Sequence, residues 1–240
     1  EPYRRQRQMC IRDRCFDVSA ACSGFITALD IAASMLKAGS YKYALVIGSE
    51  KMSEIVNWKD RSVCVLFGDG AGAVVLKAVD NNTEDVTGAL VGHERGIIDS
   101  NIYNDGTGAS VLTGGRRFSD SCSTDIFIHM DGQEVFKFAV KSVPTAIETL
   151  LHNNNMDINE VDKFILHQAN VRIIESVAKR LKADKDKFPV NLNEYGNTSS
   201  ASIPILLDEL NRNGSLKQGE KLVLAGFGAG LSWGSILLVW

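Results

Sequence analysis

Three short stretches of the 240-residue sequence hold side chains able to do covalent or acid–base chemistry: Cys22 in "DVSAACSGF", His167 in "ILHQAN" and Asn197 in "YGNTSSAS". Cys22 stands among Ala20, Ala21, Ser23 and Gly24, just before an apolar run. A thiol at a helix N-terminus meets the positive end of the helix dipole and free N–H groups, which favour thiolate. Small neighbours would also let an acyl chain reach the sulfur. The same residues equally describe a small, inert cysteine packed in a tight core. His167 follows the apolar run "KFIL". At such an exit one ring nitrogen can face a pocket while a backbone partner fixes the other; a hydrogen-bonded core histidine fits as well. Asn197 offers an amide whose charge never varies. It also reads as a turn residue after Gly196, with Ser199 or Ser202 as a helix cap.

The order Cys, His, Asn is that of papain-like proteases, and His167 falls 145 residues after Cys22 (167 − 22), inside the range those enzymes use. Their C-G-[SA]-C-[WY] signature is absent around Cys22, which argues against a cysteine hydrolase. Cys10, Cys15, Cys64 and Cys122 lack the setting of Cys22 and read as inert; His93, His129 and His152 read as ordinary. "FGDGAGA", Phe67 to Ala73, superficially suggests a phosphate-binding loop, but it leads into a strand instead of opening a helix. It reads as a tight turn or a site of close backbone packing.

The elements that must position these groups are legible as periodicity. Phe25, Leu29, Ala32 and Leu36 recur at helical spacing, with Gly39 as a stop. "YALVIGS" (43–49) and "AVVLKAV" (73–79) read as buried strands. Residues 93–125 lack periodicity and read as a long loop. A helical pattern runs from Glu134 to Leu151, with Pro144 predicting a kink or a second helix from about Ser142. Then follow strand "KFILH", helices over about 171–181 and 202–213, and strands "KLVLAGF" and "SILLVW". Apolar strands alternating with amphipathic helices predict a layered α/β fold with two related halves.

Composition narrows the function classes. The chain is 45% hydrophobic and 23% charged, with net charge −3. No apolar run reaches the roughly 18–20 residues of a membrane span, and the mild acidity argues against nucleic acid as a partner. Five cysteines without a CxxC pair argue against a zinc site or a disulfide scaffold and for a reducing, cytoplasmic setting. Asn81-Asn82-Thr83 and Asn197-Thr198-Ser199 match the glycosylation triplet, without a secretory signal to give it meaning. Residues 1–15 form an atypical Arg-rich leader, on which no function is placed.

Taken together, "DVSAACSGF", "FGDGAGA", "HQANVRI", "GNTSSAS" and "GFGAGLSWGS" resemble the type III β-ketoacyl-acyl-carrier-protein synthases, thiolase-fold condensing enzymes of fatty-acid synthesis. The resemblance runs from about Phe16 to Trp240 and implies a layered α-β-α-β-α architecture. It divides the chain into the rest of an N-terminal half carrying the nucleophile (16–92), a connecting region (93–133) and a C-terminal half (134–240). It also implies that the first βαβ portion of the family is missing, so that the chain is a fragment expected to have little activity alone. The expected reaction is decarboxylative Claisen condensation of an acyl-coenzyme A primer with malonyl-acyl-carrier protein. Coenzyme A thioester serves as substrate, with neither cofactor nor metal. Cys22 is implied as acyl acceptor, His167 and Asn197 as donors to the enolate, and the backbone N–H groups of Cys22 and Ala229 as the oxyanion hole. Ala229 stands where glycine is usual. The carrier-protein site is implied at Gln168, Ala169, Asn170, Val171 and Arg172, with Lys137, Lys179 and Arg180; coenzyme A is implied at Arg61 and Asn170. A cytoplasmic homodimer follows from the same resemblance. A condensing enzyme of polyketide metabolism and a non-catalytic partner subunit are the alternatives. The intact Cys22, His167 and Asn197 count against the latter.

Overall fold

A computed structural model describes residues 14–79, 95–114 and 127–240. Cys10, Cys122, His93, the 81–83 triplet and nearly all of the Arg-rich leader lie outside the described residues. The first element is helix α1 (Gly24–Lys37), stopped where Gly39, at φ 75°, donates its N–H to Leu36 at 2.9 Å. Strands β1 (Tyr43–Glu50) and β2 (Gly70–Lys77) form an antiparallel pair. Strand β3 (Gly96–Asn104) is followed by the two-residue strands β4 (Leu112–Thr113) and β5 (His129–Met130), which pair with each other. Helix α2 spans Gly132–Asn153, β6 Lys163–Leu166 and α3 Val171–Leu181. Short α4 (Leu192–Tyr195) leads to α5 (Ser202–Arg212), β7 (Lys221–Gly228) and β8 (Ser232–Val239).

The central sheet has the order β3-β8-β7-β6, with β6 and β7 parallel and the other pairs antiparallel. Alternation along its strands builds two cores. Phe164, Leu166, Val223, Ala225 and Phe227 turn to one face, against Val143, Ile147 and Leu150 of α2 and Ile174 and Val177 of α3. Ile165, Leu222, Leu224 and Ile236 turn to the other, against Phe25, Ile26 and Leu29 of α1 and Ile203, Leu206 and Leu207 of α5. Val46, Val74 and Leu76 of the β1–β2 pair close the second core from outside. The layers therefore run helix, sheet, helix, sheet, as the expected architecture requires; its outermost helical layer is not among the described residues. Among the described residues, Tyr43, Leu45, Ile47 and Val75 on the outer face of β1–β2 are exposed. The apolar run 43–49 is thus half-exposed, not buried throughout as its composition predicts.

Two other expectations change. The supposed loop over 93–125 contains β3, which pairs with β8 along nearly its full length through one bulge between Ile97 and Asp99. Helix α2 continues through Pro144 without dividing. The ring removes the N–H that Val140 C=O would accept, and Arg180 Nη1 approaches that carbonyl instead, at a long 3.5 Å. Among the described residues no helix is long and apolar enough to cross a membrane.

Candidate active site

Cys22 sits in a single 3₁₀ turn, Ala21–Ser23, that feeds directly into α1. The turn is pressed against the end of β7. A Cβ on Gly228 would lie 2.7 Å from the Cys22 nitrogen, so only glycine allows this approach. The Ser23 and Ser232 hydroxyls, 2.6 Å apart, join the turn to the β7–β8 connection. Ala21 holds φ 46°, a left-handed conformation costly to a residue with a Cβ. Ser199, which lines the same cavity, holds φ 51°. Strain on both sides of the cavity is the kind of backbone tension that gathers at functional sites. Ala229 has no such strain. It is not among the positive-φ residues, so its Cβ does not disturb the backbone in the position where the resemblance implies glycine.

His167 follows β6, its N–H held by Ala225 C=O at 2.8 Å. The ring is buried and stands edge-on to Phe227, with centroids 5.3 Å apart. Its Nδ1 meets the Ser202 hydroxyl at 2.7 Å, so a side chain holds it where a backbone partner was expected. Nε2 is the ring nitrogen left for a ligand. Burial drops the imidazole pKa to about 4, so the ring is neutral at physiological pH. Asn197 is oriented by its own loop. Its Oδ1 accepts from Ser199 N–H at 2.9 Å, which leaves the amide Nδ2 as the outward donor.

The glycine stretch 67–73 packs against that loop. Asn197 N–H donates to Leu66 C=O at 2.8 Å, and Gly68 N–H to Asn197 C=O at 3.0 Å. A Cβ on Gly68 would fall 2.0 Å from Tyr195 O, and Asp69 already accepts from Ser53 N–H and hydroxyl at 2.8 and 2.6 Å. The stretch is a packing device, as its lead into a strand predicts.

Cys22, His167, Asn197 and Ala229 line one cavity of about 340 Å³. Its apolar wall includes Leu112, Ile128, Met130, Val135, Phe136 and Phe227. Ala169 and Asn170 also line it, and Asn170 caps α3 by accepting from Arg172 N–H at 2.8 Å. Arg172, Lys179 and Arg180 are exposed on α3, and Val171 is exposed at its start. Lys137 is exposed and paired with Glu134 at 2.8 Å. Arg61 is exposed in the turn beside Ser62, which lines the cavity.

Two expectations are corrected here. Gln168 is 1% exposed. Its Nε2 donates to Leu166 C=O at 2.8 Å and its Oε1 accepts from Asn191 N–H at 3.2 Å. It braces the His167 strand exit from inside and has no surface to offer a carrier protein. Cys22 is not a ready thiolate either. Desolvation first, and the Glu50 carboxylate as well, push the thiol up to about 11, against the Ser199 hydroxyl and backbone N–H that favour ionisation. Glu50 itself, at the end of β1, is the cavity residue that sequence reading missed. The available signal was a carboxylate at the C-terminal end of a strand, where functional groups concentrate.

Comparison with known proteins now bears on the same residues. The family described as 3-oxoacyl-[acyl-carrier-protein] synthase III matches residues 16–106, and the family of its C-terminal portion matches residues 151–240. The chain is 46% identical over 232 residues to a β-ketoacyl-[acyl-carrier-protein] synthase III of Clostridium acetobutylicum, covering 94% of this chain and 67% of that one. A Clostridium botulinum relative of the same description is 46% identical over 233 residues, 94% of this chain and 68% of the relative. The crystal structure of the Aquifex aeolicus 3-oxoacyl-[acyl-carrier-protein] synthase III superposes with TM-score 0.83 at 45% identity, over 94% of this chain and 67% of that one. The priming β-ketosynthase of the R1128 polyketide pathway superposes with TM-score 0.81 at 36% identity, over 93% and 65%. The chain thus spans about two thirds of the length of its curated relatives. With a cysteine, a neutral histidine and an oriented asparagine facing one cavity, and with both matched segments enclosing them, the chain belongs to the 3-oxoacyl-[acyl-carrier-protein] synthase III family.

Proposed function

We propose that Cys22, His167 and Asn197 carry the decarboxylative condensation of the family, with the backbone N–H groups of Cys22 and Ala229 as oxyanion donors. The observation that carries this reading is the convergence of the three side chains on one cavity, with imidazole and amide each turned by a hydrogen bond. In the first half-reaction the Cys22 sulfur attacks the acyl-coenzyme A carbonyl. The thiol proton leaves with the expelled coenzyme A thiol, and acyl-Cys22 remains. In the second, the malonyl group loses carbon dioxide, and the developing enolate oxygen receives hydrogen bonds from His167 Nε2–H and Asn197 Nδ2–H. The Nε2–H tautomer requires the Ser202 hydroxyl to turn its hydrogen to Nδ1, across the 2.7 Å contact between them, and away from Ser199 C=O at 3.0 Å. The carbanion then attacks the Cys22 thioester. The tetrahedral oxyanion collapses, the Cys22 sulfur is expelled and takes up a proton from solvent water, and 3-oxoacyl-acyl-carrier protein departs.

The exposed basic residues Arg172, Lys179 and Arg180 on α3 support a docking face for an acidic carrier protein at the cavity mouth, with Ala169 and Asn170 at its inner edge. Lys137 belongs to the same face, and Arg61 to the approach of coenzyme A. A homodimer in the cytoplasm completes the reading, by family resemblance.

The division of labour is the test. His167→Ala and Asn197→Ala each remove one enolate donor and should slow condensation about 100- to 1,000-fold while leaving acyl-Cys22 formation nearly intact. Single-turnover assays of each half-reaction separate the two. Equal loss in both half-reactions would remove His167 and Asn197 from the decarboxylation step.

A further inference from the structure

The Cys22 cavity contains a carboxylate that the condensation does not use. Glu50 closes β1, on the layer opposite the His167 strand exit, and its side chain reaches the turn after Asn197. One oxygen, Oε1, accepts from Ser200 Oγ at 2.5 Å and Ser200 N–H at 3.4 Å, and shares the Ser199 hydroxyl, at 3.3 Å, with the Cys22 sulfur. These donors belong to the segment whose Ser199 N–H orients the Asn197 amide and whose Ser199 holds a left-handed φ of 51°. A strained turn persists only where its surroundings over-determine it, and the Glu50 carboxylate is such a constraint.

The charge has a second consequence. Among the described residues lining the cavity, the titratable groups are Cys22 from its 3₁₀ turn, Glu50 from β1 and His167 after β6; neither lysine nor arginine lines it. His167 is neutral, so no cation there offsets the carboxylate. A thiolate on Cys22 must therefore form against Glu50, whereas a thioester there is neutral and meets no such opposition.

We propose that Glu50 is a positioning residue with two separable effects: its hydrogen bonds clamp the Ser199–Ser200 turn that aims Asn197, and its charge disfavours the Cys22 thiolate relative to the acyl-enzyme. The proposal deepens the condensing-enzyme reading and rests on it.

Three variants separate the effects in the full-length protein. Glu50→Gln keeps an oxygen for Ser200 but removes the charge. Glu50→Ala removes both, and Ser200→Ala removes the shortest clamp bond but keeps the charge. The readouts are the pH midpoint of iodoacetamide alkylation at Cys22 and the turnover of malonyl-carrier-protein decarboxylation. Glu50→Gln and Glu50→Ala should lower the alkylation midpoint by about half a pH unit or more, and Ser200→Ala should leave it in place. Decarboxylation should fall about tenfold in Glu50→Ala and Ser200→Ala, the scale of one lost hydrogen bond, and recover in Glu50→Gln. An alkylation midpoint that stays or rises in Glu50→Gln overturns the charge effect. Decarboxylation in Glu50→Ala at the unsubstituted rate overturns the clamp, and a loss of thermal stability with neither readout changed reduces Glu50 to a structural residue. If the unsubstituted protein, incubated with an acyl-coenzyme A, carries no acyl group on Cys22, the nucleophile assignment fails first, which distinguishes the two failures.

Discussion

The sheet that carries His167 and the sheet that carries Glu50 differ in how they are covered. In β6 and β7, Phe164, Ile165, Leu222, Val223 and Leu224 are all 0% exposed, because helices pack on both faces. In β1, Val46 is 4% exposed while its neighbours Leu45 and Ile47 are 53% and 54% exposed, because among the described residues only the α1/α5 side is covered. The site lies between these regions. His167 and Gln168 leave the doubly covered sheet, Asn197 and Ser199 come from the turn before α5, and Glu50 comes from the singly covered pair. His167 is thus fixed at the end of a strand buried on both faces, and Asn197 by the turn that packs beside it. Glu50, whose charge opposes the Cys22 thiolate, stands at the end of the pair that packs on the α1/α5 core.

Substitutions can break this contrast. Phe164, which stacks on Phe188 with ring centroids 4.6 Å apart, should cost about 3–5 kcal/mol when changed to alanine, read as a drop in the urea midpoint at unchanged slope. The next effect depends on pH. Below about 6.5 the unfolded chain takes up a proton at His167 that the folded protein refuses until about 4. Stability should therefore fall on acidification across that window, by at most about 1.4 kcal/mol per pH unit, and His167→Gln should flatten that part of the profile. Smallest is Leu45→Ala on the open face of β1, expected within about 0.5 kcal/mol. A Leu45→Ala cost comparable to that of Phe164→Ala would show that the open face is covered in solution, and the contrast would fail.

Much of this arrangement was legible from periodicity. Helices α1, α3 and α5 follow their apolar spacing closely, and Cys22, His167 and Asn197 stand out because each is a reactive side chain in a small-residue or strand-exit setting. What was illegible depended on distant partners. Strand β3 reads as loop because Asp99, Ser100 and Asn101 interrupt it. Yet Asn101 accepts from Ser235 N–H at 3.1 Å and donates to Ala146 C=O at 2.8 Å, and Asp99 accepts from Asn154 at 2.7 Å. The one-sided exposure of β1 cannot be read from "YALVIGS", since every residue of that run suits burial. The protonated state of Cys22 was missed for the same reason. A helix N-terminus is visible locally and favours thiolate, whereas the desolvation and the Glu50 charge that outweigh it arise only when residues 22, 50 and 199 come together.

The central claim is that Cys22 accepts the acyl chain, and covalent mapping tests it most directly. The full-length protein is incubated with an acyl-coenzyme A, digested with trypsin and sequenced by tandem mass spectrometry. The peptide Cys15–Lys37 contains both Cys15 and Cys22, so fragment ions must place the adduct. Acylation confined to Cys22 is the predicted result; an adduct on Cys15 or Cys64, or none at all, would contradict it.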